Sequence, residues 1–333
     1  MTYRLAYRRY ALPLRAPVRT AHGVLSVREG LLVRLESEDG TVGYGEASPL
    51  EGFGRETVDA DEAWVRGCGD RIDAETLSQI PPGLDCLHRA FDVARGEAPV
   101  PNHPYLPVAA LLPAGKAALA ALPARLELGF RTFKWKVGVG DPADEWALCT
   151  DLLAGLPTGA RLRLDANGAW DRRVAERWLA RCADWPIEHV EQPVAPESRG
   201  ADDLLRGLAE DYPTPIALDE SLAGAGDVER WLGDGWRGVY VIKPALVAHL
   251  SVVLDRLARA GARVVFSSAL ETRAGTRASL AAAFAWTGEV RALGFGVYPI
   301  FNDARFDGPA AVPFVRREDL AALDPEAVWT ALS

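Results

Sequence analysis

The 333 residues are 49% apolar and 25% charged, the balance of an ordinary globular chain, in a length that holds one large domain or two. A net charge of −9 excludes nucleic acid and an anionic membrane as natural partners, and means that an acidic substrate needs a locally positive pocket. No apolar run is long enough to span a bilayer, the N-terminus lacks a signal-peptide core, and Cys68, Cys86, Cys149 and Cys182 form no Cys-x-x-Cys pair. A cytoplasmic protein with reduced thiols is expected, with homo-oligomerisation left open.

In chain order, Tyr3 to Leu14 reads as a strand. Leu31 to Glu36 and Val42 to Ala47 read as two more around the turn signal Glu38-Asp39-Gly40. Gly and Pro mark loops at 16–26 and 47–55, and Glu56 to Arg95 reads mostly helical, broken at Pro81-Pro82-Gly83. These elements predict an α+β capping domain over residues 1–100, with a contribution from the C-terminal segment 303–333. From about residue 105 the rhythm changes. Short apolar strands recur near 107–111, 132–137, 161–165, 187–191, 215–219, 238–243, 262–267 and 291–295. Helical stretches separate most of them: one is opened by Asp141-Pro142 and closed by Gly155, and others cover 173–183, 202–211, 227–232, 249–260 and 273–286. The fold class is α/β, a (β/α)8-type barrel over residues 101–302 whose first or last unit could be imperfect. A doubly wound open sheet competes, but no Gly-x-Gly-x-x-Gly turn follows an early strand.

The polar residues at the strand ends carry the chemistry. Asp165, Glu191 and Asp219 end three consecutive strands, which brings three carboxylates to the C-terminal mouth where barrel enzymes keep their active sites. Only four lysines occur among the 37 basic residues. Lys134 and Lys136 share a face of the preceding strand, Lys243 ends the strand after Asp219, and Lys116 lies in a helix-like Ala-rich stretch. An Arg-biased chain keeps a lysine where it needs a compact amine whose pKa a site can lower. Three carboxylates without His or Cys favour a hard divalent cation, Mg²⁺ first, with Mn²⁺ as a substitute. An amine beside them suggests proton abstraction next to a substrate carboxylate, with Lys136 as base and Lys134 lowering its pKa by repulsion. Any single strand-end acid would more often cap a helix or anchor a loop, the role that also suits Asn167, Glu220 and Ser221. His189 and His249 read as structural, Trp135 as barrel–helix packing, and Gly294 and Gly296 as a tight turn rather than a phosphate cradle. A non-catalytic barrel that binds an acid remains open, whereas a redox enzyme lacks a dinucleotide motif.

At Lys134-Trp-Lys136, Asp165-Ala-Asn167, Glu191-Gln-Pro193, Asp219-Glu220-Ser221 and Lys243-Pro244 the chain resembles the enolase superfamily, in its muconate-lactonising subgroup. On Gly43 to Thr57 and Phe266 to Glu271 it is most similar there to the o-succinylbenzoate synthase family. The resemblance implies syn loss of water from a small anionic carboxylate, 2-succinyl-6-hydroxy-2,4-cyclohexadiene-1-carboxylate, in menaquinone synthesis. It implies Lys136 as base and then acid, Mg²⁺ on Asp165, Glu191 and Asp219, and Lys243 as a positive charge on the opposite face of the ring. Arg163 and Lys134 would assist through charge, Ser267 and Ser268 would line the succinyl pocket, Asn167 would be a further substrate contact, and the 47–55 loop would close over substrate. N-succinylamino acid racemase activity, alone or alongside, stays open because both lysines are present. Muconate lactonisation uses the same scaffold, and dipeptide epimerisation is disfavoured because residues 294–303 lack an Asp-x-Asp element.

Overall fold

The computed structural model describes residues 2–20, 23–50, 52–96 and 99–332. Its N-terminal part is an antiparallel sheet. The long ribbon of β1 (Thr2–Thr20) and β2 (Gly23–Ser37) is flanked by β3 (Val42–Ala47) on one side and, after α1 (Val58–Cys68), by β4 (Arg71–Asp73) on the other. β2 and β3 pair around the expected Glu38-Asp39-Gly40 turn, where Gly40 has a φ of +83°. The segment 16–26, expected as a loop, instead continues the ribbon on either side of its tip; its residues 21 and 22 lie outside the described residues. The ladder shifts register between Pro13 and Val18, so Pro17, which has no N–H to donate, falls in the irregularity and the strands resume beyond it. Two short helices follow, α2 (Ala74–Leu77) and α3 (Asp85–Ala94), separated at the expected Pro81-Pro82-Gly83 break, while β4 interrupts the helical run expected from Glu56. α3 lies directly on β3: a Cβ at Gly43 or Gly45 would fall 1.9 or 1.8 Å from the carbonyl oxygens of Ala94 and Ala90. Those glycines are therefore a packing requirement of the sheet, and the loop expected to start at 47 begins only after Ala47.

β5 (Tyr105–Pro107) precedes a parallel sheet of seven strands: β6 (Ala110–Leu112), β7 (Thr132–Lys136), β8 (Arg161–Asp165), β9 (Ile187–Glu191), β10 (Ile216–Leu218), β11 (Val239–Ile242) and β12 (Arg263–Phe266). Between them run α4 (Ala117–Glu127), α5 (Pro142–Ala154), α6 (Arg172–Cys182), α7 (Ala201–Asp211), α8 (Ala225–Gly233) and α9 (Leu250–Arg259), and α10 (Arg273–Phe284) follows β12. The helices form where the sequence places its signals. Asp141 accepts from the N–H groups of Ala143 and Asp144, with Pro142 in the first turn, and Asp171 accepts from Val174. α9 turns a narrow apolar stripe inward with Leu250, Val253 and Leu257.

The eighth strand is where the expectation and the structure part. Residues 291–295 do not form a full strand; Leu293 and Gly294 make single bridges to Val108 and Ser267 and so join the two edges of the sheet. Gly294 and Gly296 serve that closure: an added Cβ would lie 2.5 Å from Ser267 Oγ at the first and 2.3 Å from the Ala109 carbonyl oxygen at the second. They are close-approach glycines, and Gly296 also lies in a turn with Val297, as expected.

The C-terminal segment reaches both parts. β13 (Phe314–Arg316) pairs antiparallel with β5, while α11 (Pro325–Ala331) lays Trp329 beside the Tyr44 ring and under the Arg8 guanidinium, 4.3 Å from the ring centre. A second joint is deeper. Glu46 of β3 accepts bonds from Tyr10 Oη (2.6 Å), from the N–H groups of Thr272 and Gly275 (2.9 Å each) and from the Thr272 hydroxyl, and thereby caps α10. No helix among the described residues is long and apolar enough to cross a membrane.

Candidate active site

Register brings the expected residues together. Lys136 lies opposite Asp165 in the β7–β8 ladder, and Asp165 opposite Glu191 in the β8–β9 ladder. Trp135, between the two lysines, faces the other way and is fully buried in the core, as its alternation predicts. Asp219 follows β10 and Lys243 follows β11, so the line of polar groups continues round the mouth. Lys134 Nζ lies 2.8 Å from Asp165 Oδ2 and 2.5 Å from Glu191 Oε1, and Lys243 Nζ donates to Asp219 Oδ1. Phe53, in the loop after β3, covers Lys243 with its ring centre 4.1 Å from Nζ.

The charges act on one another strongly. Burial would lower the Lys134 ammonium's pKa, but Asp165, Glu191 and Asp219 together hold it raised. Burial opposes the Glu191 carboxylate, yet Lys134 and the neighbouring His189 outweigh it and keep it well below the usual range. Asp219 goes the other way: burial pushes it up, Glu220 and Glu191 add to the rise, and Lys243 opposes it. Lys136 is lowered, as the lysine pair predicts. Burial is the first cause; Asp165 opposes it, and repulsion from Lys134, which alone was credited from the sequence, comes after both.

The all-oxygen donor set of Asp165, Glu191 and Asp219 fits a hard divalent cation. Among the described residues the side chains do not close into a ready cluster of three metal donors. The Lys134 ammonium stands between Asp165 and Glu191, and the Lys243 ammonium on Asp219, supplying the positive charge that these carboxylates require. The acids are thus adjacent, and the two ammoniums occupy the place of positive charge that a divalent cation would also fill.

The expected substrate contacts fare unevenly. Arg163, level with Lys134 in the ladder, does not reach the mouth; it bonds Glu188 through Nε (2.8 Å) and Nη2 (3.2 Å) and the Ala292 carbonyl through Nη1 (2.8 Å). The register shift at Leu162/Arg163 brings Glu188 within its reach, a feature that simple alternation cannot anticipate. Ser268 turns away into a buried network, donating to Glu271 Oε2 at 2.8 Å and lying 3.2 Å from Tyr298 Oη. Ser267 stays at the end of β12, with its Oγ 3.4 Å from the Gly294 carbonyl. Asn167 donates to Glu220 Oε1 at 2.9 Å and so ties the loop after β8 to the loop after β10.

Gln192 is the residue the sequence reading passed over, although it sits in the quoted Glu-Gln-Pro. Fully buried and with φ +36°, it accepts from the N–H groups of Asp219 (3.0 Å) and Ser221 (3.2 Å) and donates to Val194 O and Ser221 Oγ, 2.8 Å each. Its side chain fixes where Asp219 sits relative to Glu191. An amide immediately after a strand-end acid was the available signal.

A closed parallel barrel with carboxylates and lysines at the C-terminal ends of its strands, covered by a sheet domain, defines an enzyme of the enolase type. Two family descriptions match accordingly, "MenC, N-terminal domain" over residues 2–82 and "Enolase C-terminal domain-like" over 117–313. The chain is 44% identical over 303 residues to the o-succinylbenzoate synthase of Thermosynechococcus vestitus, covering 88% of this chain and 92% of that one. It is 30% identical over 247 residues to a hydrophobic dipeptide epimerase of Roseobacter litoralis, covering 68% and 71%. Among solved structures, o-succinylbenzoate synthase from Thermosynechococcus elongatus BP-1, complexed with Mg in the active site, superposes with a TM-score of 0.83 at 39% identity, over 98% of this chain and 99% of that one. The chain belongs to the o-succinylbenzoate synthase family, lyases of the enolase superfamily.

Proposed function

We propose that the chain dehydrates 2-succinyl-6-hydroxy-2,4-cyclohexadiene-1-carboxylate to o-succinylbenzoate and water, a step of menaquinone synthesis. The observation that carries this reading is the placement of Lys136 and Lys243 on either side of Asp165, Glu191 and Asp219. Residues 101–302 form the catalytic barrel, and residues 1–100 with 303–333 cover it.

Mg²⁺, with Mn²⁺ as a substitute, would be held by Asp165, Glu191 and Asp219 and would supply positive charge opposite a substrate carboxylate that takes on enediolate character. Lys136, half-buried and with its pKa lowered, takes the proton next to that carboxylate. The carbon–oxygen bond to the ring hydroxyl then breaks, and Lys136 returns the proton to the departing oxygen, so that water leaves from the face on which the proton was taken. Lys243, held between Asp219 and the face of Phe53, is suited to supply charge across the ring rather than to exchange protons. Lys134 balances Asp165 and Glu191 and adds repulsion to the burial that lowers Lys136. Ser267, at the end of β12, would line the succinyl pocket; Arg163 and Ser268 are committed elsewhere and act on the site only through its framework.

Purified protein with Mg²⁺ should consume the cyclohexadiene, followed by loss of its absorbance, and should do so faster than it racemises N-succinyl amino acids. Faster racemisation would replace this reading by the two-base reaction that the same pair of lysines permits.

A further inference from the structure

Arg28 is 2% exposed, lies on β2, and plays no part in the chemistry above. Among the described residues its guanidinium donates to five backbone carbonyls and to no side chain. Nη1 bonds Glu29 O (3.0 Å) and Pro49 O (2.7 Å), Nη2 bonds Ser48 O and Ala269 O (3.2 Å), and Nε bonds Leu270 O (3.2 Å). Among the described residues no carboxylate lies within ion-pairing distance of it. A buried arginine is normally matched by an acid, because leaving its charge to carbonyl dipoles is costly. Here the cost is accepted for geometry: a planar fork reaches several oxygens at once, which a lysine's single point charge does not.

The carbonyls belong to two segments far apart in sequence. Ser48 and Pro49 begin the loop that carries Phe53 over Lys243, and Ala269 and Leu270 form the turn after β12, next to Ser267. Leu270 is held at φ +60°, a conformation that a leucine does not adopt unless its surroundings impose it. Arg28 bonds the carbonyl of that same residue.

We infer that Arg28 is a positioning residue that locks the loop bearing Phe53 and the turn after β12 in one fixed relation, and so sets how tightly the mouth closes on the substrate. Its effect on catalysis rests on the proposed dehydration, but its effect on the loop does not.

Arg28→Lys and Arg28→Met test both. Arg55 is exposed in the loop, so trypsin cleavage after it under native conditions reports loop opening without any substrate. Cleavage there should accelerate about tenfold in Arg28→Met, the equivalent of one lost charge-assisted hydrogen bond, and less in Arg28→Lys, while cleavage at other arginines stays at the wild-type rate. With substrate, KM should rise by about tenfold and kcat change by less than about threefold, since no reacting group is removed. Unchanged Arg55 cleavage would overturn the inference. So would acceleration at all arginines in step with a lower melting temperature, or failure of both variants to fold, since each would make Arg28 a stability residue only. If the wild type itself does not dehydrate the cyclohexadiene, the proposed function fails while the trypsin comparison still decides the role of Arg28.

Discussion

Strands β7, β8 and β9 send ionisable groups into the barrel at two successive registers, Lys134–Arg163–His189 and Lys136–Asp165–Glu191. Strands β10, β11 and β12 fill their share of the interior with Ala217, Val239, Val241 and Val265, and carry polar groups at their ends, at Asp219, Lys243 and Ser267, with Arg263 at the start of β12. In the first half each charge is held by other charges, and Arg163 is itself ion-paired with Glu188, which Arg291 also reaches. Buried charges are tolerable on those terms and costly on any other. In the second half, apolar packing provides a wall of low polarizability that strengthens the few interactions at its rim. One half is positioned by electrostatics, the other by shape, and substitutions should tell them apart.

The largest effect expected is at Lys136. Lys136→Ala should lower kcat by about 10⁴-fold, the upper range of general acid–base catalysis, while Mg²⁺ binding by calorimetry and thermal melting stay at wild-type values. Retained turnover would remove Lys136 as the base. Next comes the Arg163–Glu188 pair. Arg163 outweighs burial to hold the Glu188 carboxyl down at about 2, against an ordinary value of 4.5. A lowered folded-state pKa stabilises above pH 4.5, and that stability is lost as pH falls through about 2. Glu188→Gln should therefore cost about 3 kcal/mol near neutral pH in a denaturant titration and flatten the acid limb of stability. An unaltered acid limb would show that the ionised half does not depend on this pair. Asp219→Asn comes third, at the junction of the halves, where Mg²⁺ affinity should fall by at least about tenfold, as for other changes to a metal's immediate support. Unchanged affinity would take Asp219 out of the metal set. The smallest effect belongs to the apolar half: Val265→Ala should cost about 1.5 kcal/mol of stability and leave kcat within about twofold. A larger kcat loss would mean that the apolar wall tunes the chemistry as well as the packing.

What could be read from the chain follows the same division. Lys136, Asp165 and Glu191 were legible because strand alternation and parallel register are local rules, and the helices from 142 to 284 were legible through their apolar periodicity, the first of them also through the Asp141-Pro142 cap. The pairing over 18–20 and 23–25 was not legible, since Pro17 and Gly23 signal a loop while the two strands keep the ladder. Arg163 and Ser268 sat on the right strands and were drawn off by partners remote in sequence, Glu188 through a register shift and Glu271 with Tyr298 through a buried network. Gln192 and Arg28 act through backbone groups on neighbouring segments, and contacts of that kind leave no periodic trace.

The Glu46 cap on α10 has a consequence for the chain as a whole. A helix of the barrel begins on a carboxylate borrowed from the N-terminal sheet, and Gly275 must stay a glycine because an added Cβ would press to 2.9 Å on Glu271 and 3.1 Å on Glu46. Neither part is complete when expressed alone, so the two should melt in one transition rather than two. Chimaeras that exchange the N-terminal sheet between relatives will hold together only if position 46 and residues 272–275 travel as a set.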